Sequence, residues 1–242
     1  MKFRNKVLLF LANTYQSLGI FKSFRKRLFS TKRILRKNYP KNSSFSFLQI
    51  GANDGKSFDF LYDFVVNRNI SGALIEPIKE YFDELSENYK SYDNILKINK
   101  AVHRTATHVS IYKMDKNTIE TYPDWVKGMA SFDKNHLAKH DFIKEEDIIE
   151  EKVEAAPLMD IINDYNIKEF DYFQSDTEGY DYEIVTMFDF SKFHPKLVKA
   201  EVVNLSDEQK TTLEKLLLDN DYYVFYEDLD IVGIDLNQLK LQ

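Results

Sequence analysis

From Phe45 onward, short apolar runs alternate with segments of helical periodicity, and that alternation limits the possible folds more than any other feature of the chain. Phe45–Ile50 is an apolar run that stops at Gly51, the shape of a buried parallel strand entering a tight turn. Phe58, Leu61, Tyr62 and Val65 follow at i, i+3, i+4 and i+7, which predicts a helix starting near Gly55. Ala73–Ile75 predicts a second strand ending in Glu76-Pro77. Ile78, Phe82, Leu85 and Tyr89 then mark a second helix, and Ile95–Val102 a third strand. Such a β-α-β-α-β order predicts a parallel sheet with right-handed crossovers. The pattern resumes with a helix at Leu158–Tyr165, a strand at Phe170–Ser175, a helix at Tyr180–Phe188, a strand at Leu197–Val203 and a helix at Glu208–Asp219. Tyr222–Tyr226 and Ile231–Leu236 are separated only by Glu227–Asp230, a connection that permits only an antiparallel hairpin. The expectation is a mostly parallel α/β sheet with a C-terminal antiparallel hairpin, occupying residues 45–242.

Two segments stand apart from this pattern. Residues 103–157 are aromatic, charged and irregular, and read as an insertion over the functional edge of the sheet, since long loops are usually functional. In residues 1–44, Phe3, Val7, Phe10, Leu11 and Leu18 recur near helical spacing among Lys2, Arg4 and Lys6, and Phe21, Phe24 and Leu28 continue among Lys22, Arg25, Lys26 and Arg27. That predicts one or two basic amphipathic helices. Twelve of the 33 Lys and Arg residues and none of the 39 acids lie in residues 1–53, which leaves 21 basic against 39 acidic residues in the remainder. So acidic a body excludes nucleic acid as its partner, whereas the basic segment suits an anionic surface. A peripheral membrane contact through residues 1–42 is expected; packing on the acidic body, or a homodimer contact, would satisfy the same charge and stripe. Val7–Ala12 is too short to span a bilayer, which takes roughly 20 residues. No small-x-small cleavage site follows it before Tyr15, so cytoplasmic residence is expected, at most peripheral to the inner face of the membrane. The absence of cysteine excludes disulfides, thiolate metal sites and thiol nucleophiles.

The chemistry-bearing motifs fall at strand ends. Gly51-Ala52-Asn53-Asp54-Gly55-Lys56-Ser57 sits between a strand and a helix, where glycines allow close backbone approach to a ligand. It lacks the third glycine of the dinucleotide fingerprint and is one residue short of the phosphate loop G-x-x-x-x-G-K-[ST], whose bound phosphates Asp54 would also repel. Glu76 ends the second strand about 21 residues past Gly55, where an acid can take both hydroxyls of a ribose; with Pro77 it could equally start a helix. Ser175-Asp176-Thr177-Glu178-Gly179-Tyr180 lies at the same carboxyl edge, and helix capping and catalysis are both open for its acids. Glu201 ends the next strand, and with Asp176 and Glu178 would make a carboxylate group able to hold a hard divalent cation; no metal is expected there. His136 and His140 have i, i+4 spacing beside Lys134 and Lys139, more in keeping with a solvated face than with metal ligands. Tyr122, Trp125 and Phe132 form either a stacking platform for a sugar ring or the insertion's own small core.

On these motifs the chain resembles the FkbM family of S-adenosylmethionine-dependent methyltransferases. The matching pieces are IGANDG at Ile50–Gly55, LIEP at Leu74–Pro77, NKAV at Asn99–Val102, DYFQSDTEGYDYEIV at Asp171–Val185 and PKLVKAEV at Pro195–Val202. The first 44 residues lie outside the resemblance. It implies a Rossmann-like class I methyltransferase fold and S-adenosylmethionine as cofactor. Gly51, Ala52, Asn53 and Gly55 would line its methionine part, Glu76 with Pro77 its ribose, and Asn99, Lys100 and Ala101 its adenine, with Asp176 near the transferred methyl. Gln49 stands where many relatives carry an acid, which would shift contact with the cofactor's amino group to Asp54 or Asp176. The family methylates oxygen, often on sugars of polysaccharides, glycolipids or glycosylated metabolites, so a small-molecule or glycan acceptor is implied. The general base is expected among Asp176, Glu178, Glu201 and His136, the carboxylates at 176 and 178 first. A nucleotide-phosphate enzyme using the 51–57 loop and a non-catalytic binding module are the alternatives.

Overall fold

The computed structural model describes residues 3–17, 22–57 and 60–241. Helices α1 (Phe3–Ser17), α2 (Lys22–Leu28) and α3 (Thr31–Asn38) lead into the first unit of the sheet. This comprises β1 (Ser44–Ile50), α4 (Leu61–Val65), β2 (Asn69–Ile75), α5 (Lys79–Asn88) and β3 (Ile95–Ile98). A four-stranded excursion follows, made of β4 (Ala101–Val102), β5 (His108–Met114), β6 (Ala130–Ser131), α6 (Lys134–Ala138) and β7 (Ile148–Ala156). The chain returns through α7 (Leu158–Asp164), β8 (Tyr172–Ser175), α8 (Asp181–Met187), β9 (Leu197–Glu201), α9 (Asp207–Asp219), β10 (Tyr223–Glu227) and β11 (Asp230–Ile234).

The main sheet has seven strands in the order β10-β11-β9-β8-β1-β2-β3. β11 is its one reversed strand, inserted between β9 and β10 and antiparallel to both. The chain therefore starts in the middle at β1, builds outward to β3, and restarts at β8 on the other side of β1. That reversal places a topological switch point, where ligands bind in open α/β sheets, at the carboxyl ends of β1 and β8. Period-2 alternation sends Phe45 and Phe47 to one face of the sheet and Leu48 and Ile50 to the other, so two cores sandwich it.

The N-terminal helices belong to the first of these cores. Leu28, Ile34 and Leu35 are fully buried against Phe45, Phe47, Phe225 and Val232, each such side chain contributing about 1.5–3 kcal/mol. Asn5, also buried, ties α1 to the C-terminal segment: its amide donates to the carbonyls of Leu236 (3.0 Å) and Leu239 (2.8 Å), and its Oδ1 accepts from the Leu241 N–H (3.2 Å). The inward part of the amphipathic stripe thus packs on the body, while Arg4, Lys6, Arg33, Arg36 and Lys37 stay exposed. Leu18, Phe21 and Phe58 lie outside the described residues. Among the described residues no helix is long and apolar enough to cross a membrane.

Three expectations need correction. Among the described residues no helix starts near Gly55: the Asp54 carboxylate accepts the N–H groups of Lys56 (2.9 Å) and Ser57 (2.8 Å), and α4 begins only at Leu61. The run Ile95–Val102 is two strands, because the chain crosses at Asn99-Lys100 from the main sheet into the smaller one. Residues 103–157 are not irregular. They carry an antiparallel ladder of seven residue pairs, β5 against β7, over their own core of Met114, Val126, Met129, Leu137 and Ile148.

Candidate functional site

The carboxyl ends of β1, β2, β4 and β8 open into a cleft of about 180 Å³. Gly51, Asn53, Glu76, Pro77, Lys100, Ala101, Asp176 and Glu178 line it, as expected from the sequence. Ile78, Tyr81, Val102 and Ile111 add an apolar wall, and the insertion covers the opening with Trp125, Ala130, Ser131 and Phe132.

Gly51 is required where β1 and β8 converge. Its φ is +73°, and a Cβ there would lie 1.8 Å from the Asp176 carbonyl oxygen, so any side chain would push the two loops apart. Asn53, also left-handed, donates its N–H to Glu76 Oε2 (2.8 Å), and its side-chain amide reaches the Lys127 carbonyl of the insertion (3.4 Å). Glu76 is buried, with Oε1 accepting from the Ile78 N–H (2.9 Å). Burial pushes its carboxyl up to about 7, against the pull of those two N–H donors. Both of its oxygens keep lone pairs for further donors such as ribose hydroxyls. Asn99 lies behind this edge and clamps it by donating to the carbonyls of Glu76 and Pro77, each at 2.9 Å.

At the other side of the switch point stands a carboxylate group. One oxygen each of Asp176, Glu178 and Glu201 lies within 4.8 Å of the others. Asp176 is exposed and lines both the cleft and a smaller neighbouring cavity beside the Gly51 loop. Desolvation, and then the neighbouring acids, push it up to about 8; the same causes push Glu201 up to about 9. The spacing of the three carboxylates would also suit a hard cation. Beneath them Asp181, fully buried, shapes the turn by accepting from Ser175 Oγ (2.5 Å) and the Thr177 N–H (3.2 Å). Glu178 itself is left-handed at φ +53°, an uncommon state for a side-chain-bearing residue, and Ser131 Oγ of the insertion holds its carbonyl at 2.9 Å.

Not every residue expected at the site is in the cleft. Asp54 is engaged in its own loop and does not line the cleft. Ala52 and Gly55 line a small cavity on the far side of the loop with Gln49, Lys56 and Gln174, and a Cβ on Gly55 would strike the Tyr89 ring at 2.7 Å. Glu201 reaches the carboxylate group without lining the cleft. The phosphate-loop alternative fails on geometry, since Lys56 lies over the Tyr62 ring at 5.4 Å and, among the described residues, the helix that follows the 51–57 loop begins only at Leu61.

With the geometry in view, the family follows. The profile of the methyltransferase FkbM domain matches residues 49–224. The chain belongs to the FkbM methyltransferase family. It is an S-adenosylmethionine-dependent methyltransferase with the Rossmann-like class I fold. Among solved structures it is similar to the methyltransferase FkbM from Methylobacillus flagellatus KT, with 14% identity, TM-score 0.48, and coverage of 86% of this chain and 47% of that one. It is also similar to the O-methyltransferase from Bacillus cereus in complex with SAH, at 8% identity, TM-score 0.45, and coverage of 97% and 91%. No curated protein matches the chain. The cleft of this FkbM domain fits the cofactor: Glu76 offers acceptor oxygens, and the Ile78–Tyr81 wall suits an aromatic base.

Several contributors to the FkbM site carried no signal in the sequence. Ser131, Tyr81 and Asn204 reach it only through tertiary contacts. His136, expected on a solvated face, is instead 9% exposed, with Nε2 3.0 Å from Glu178 Oε2. Of the three aromatics, Tyr122 is tied to Asp147 (2.5 Å) within the insertion's core, and Phe132 packs edge-on against Tyr180. Only Trp125 stands half exposed at the mouth, beside His140 and Phe142.

Proposed function

We propose that the protein transfers the methyl group to a hydroxyl oxygen on a sugar-bearing acceptor, whether polysaccharide, glycolipid or glycosylated metabolite. The convergence of Asp176, Glu178 and Glu201 at the switch point carries this reading: a hydroxyl is a weak nucleophile until its proton is taken, and the group is a proton acceptor beside the cofactor loop. Bound S-adenosylmethionine supplies a methyl group already activated on a sulfonium. What remains for the chain is alignment and removal of one proton. In this reading Gly51, Ala52, Asn53 and Gly55 shape the loop under the methionine part, Glu76 accepts the ribose hydroxyls, and Asn99, Lys100 and Ala101 form the adenine edge. Asp176 and Glu178 take the acceptor's proton. Trp125, with its exposed ring, offers a stacking face for the sugar.

Residues 1–44 form a helical extension to the methyltransferase domain of residues 45–242, and we place the protein in the cytoplasm. The exposed Arg4, Lys6, Arg33, Arg36 and Lys37 support a peripheral, electrostatic contact with an anionic membrane face, where each basic residue near the surface contributes about 1 kcal/mol.

The test uses Asp176→Asn and Glu178→Gln. Both variants should bind S-adenosylhomocysteine as the parent does, while transfer of labelled methyl to an acceptor sugar falls by 10²–10⁴-fold. Unchanged transfer would leave the two acids as parts of a turn.

A further inference from the structure

Four side chains from three separate parts of the chain close a ring at the edge of the cleft. Lys139 Nζ lies 3.3 Å from His136 Nδ1 and 3.3 Å from Asn204 Oδ1. His136 Nε2 is 3.0 Å from Glu178 Oε2, and Asn204 Nδ2 donates to the same oxygen at 3.3 Å and to Glu201 Oε2 at 3.3 Å. An ammonium can only donate, so it assigns every partner. Nδ1 of His136 must accept, which puts the ring hydrogen on Nε2 and aims it at Glu178. Oδ1 of Asn204 must also accept, which turns its NH₂ toward the two carboxylates. The same logic settles Glu178: both donors fall on Oε2, and among the described residues no hydrogen bond reaches Oε1.

We propose that His136 and Lys139 are positioning residues that latch the insertion onto Glu178 and present its Oε1 as the oxygen that takes the acceptor's proton. This deepens, and rests on, the reading of the 176/178 carboxylates as the base. α6 carries both latch residues, and β6, just before it, adds the bond from Ser131 Oγ to the Glu178 carbonyl (2.9 Å). The contacts that dock the insertion are thus the same ones that orient the base. The latch also gives a reason for the left-handed backbone of Glu178: a strained residue persists where its surroundings over-determine it, and here the carbonyl and one carboxylate oxygen are both held.

The tautomer gives a test independent of any acceptor. In the full chain carrying ¹⁵N-histidine, with His136→Gln used to assign the signals, His136 should show a bare Nδ1 and a protonated Nε2. In Lys139→Met the forcing donor is gone, and the two nitrogen shifts should move toward each other. Backbone amides of α6 and β6 should exchange about tenfold faster in Lys139→Met and in His136→Leu, and His136→Gln, which keeps a donor, should recover most of that protection. A parent protein with the proton on Nδ1, or a Lys139→Met variant with unchanged shifts and exchange, overturns the latch. Either result is distinguishable from failure of the catalytic reading, because S-adenosylhomocysteine binding and the Asp176→Asn and Glu178→Gln transfer assays do not depend on the tautomer.

Discussion

Binding of S-adenosylmethionine should expel a proton from the carboxylate group, and S-adenosylhomocysteine should expel less. Asp176 is pushed up to about 8 in the open cleft, so at pH 7 its carboxyl is about nine-tenths protonated. A unit positive charge about 4 Å away, at an effective dielectric of about 20, favours the ionised form by about 4 kcal/mol, or about three pKa units. At twice that distance the effect is about 2 kcal/mol. The carboxyl then falls to between about 5 and 6.5, and between roughly 0.7 and 0.9 of a proton leaves at pH 7. The proton belongs to the coupled group rather than to Asp176 alone. The thioether product carries no charge, so the difference between the two ligands isolates the effect of the sulfonium. The assay is calorimetric titration in two buffers of different ionisation enthalpy. Asp176→Asn should lose most of the difference. Equal proton release for the two ligands at pH 7 would mean that the cation does not sit by this group, and the placement of the methyl donor would be wrong.

Other consequences follow from the same geometry. Glu76 is pushed up to about 7 and must be ionised to accept two ribose hydroxyls, so S-adenosylhomocysteine affinity should rise about tenfold from pH 6 to pH 8 and flatten above it; Glu76→Gln should bind more weakly and lose that slope. An affinity flat with pH in the parent removes Glu76 from the ribose. Gly51→Ala should destabilise the fold by more than the about 1–3 kcal/mol of a strained backbone, because its Cβ would also strike the Asp176 carbonyl. Urea unfolding within about 0.5 kcal/mol of the parent would contradict that close approach. Full-length protein should pellet with anionic vesicles at low salt and be released as salt screens the charges. If it ignores vesicles, and deletion of residues 1–42 yields insoluble or dissociated protein, the basic segment serves the fold or a dimer instead.

The parts of this molecule that could be read in the sequence are those fixed by local pattern. Phe45–Ile50 and Leu197–Glu201 carry apolar residues at both odd and even positions because both faces of their strands are covered, and the residues that follow or end them, Gly51 and Glu201, mark the functional edge. Glu76 and Asp176 could be placed for the same reason. The insertion could not. β7 reads IIEEKVEAA, with one face buried and the other charged, and its alternation is hidden by acids at successive positions. The helix expected near Gly55 starts later, at Leu61, although Asp54 accepts the N–H groups of Lys56 and Ser57 as a helix cap would. His136 becomes buried only through Glu178, 42 positions further along, and nothing in its own neighbourhood of lysines signals that.

The central claim, that the cleft between Glu76 and Asp176 holds S-adenosylmethionine, is tested most directly by thermal unfolding in the presence of S-adenosylhomocysteine, ATP with magnesium, and NAD. A ligand at 100 times its Kd stabilises the native state by about 2.7 kcal/mol, enough to raise the midpoint by several degrees. The account predicts that rise for S-adenosylhomocysteine alone, and its loss in Glu76→Ala. Stabilisation by ATP or NAD without S-adenosylhomocysteine, or a rise that survives Glu76→Ala undiminished, would contradict it.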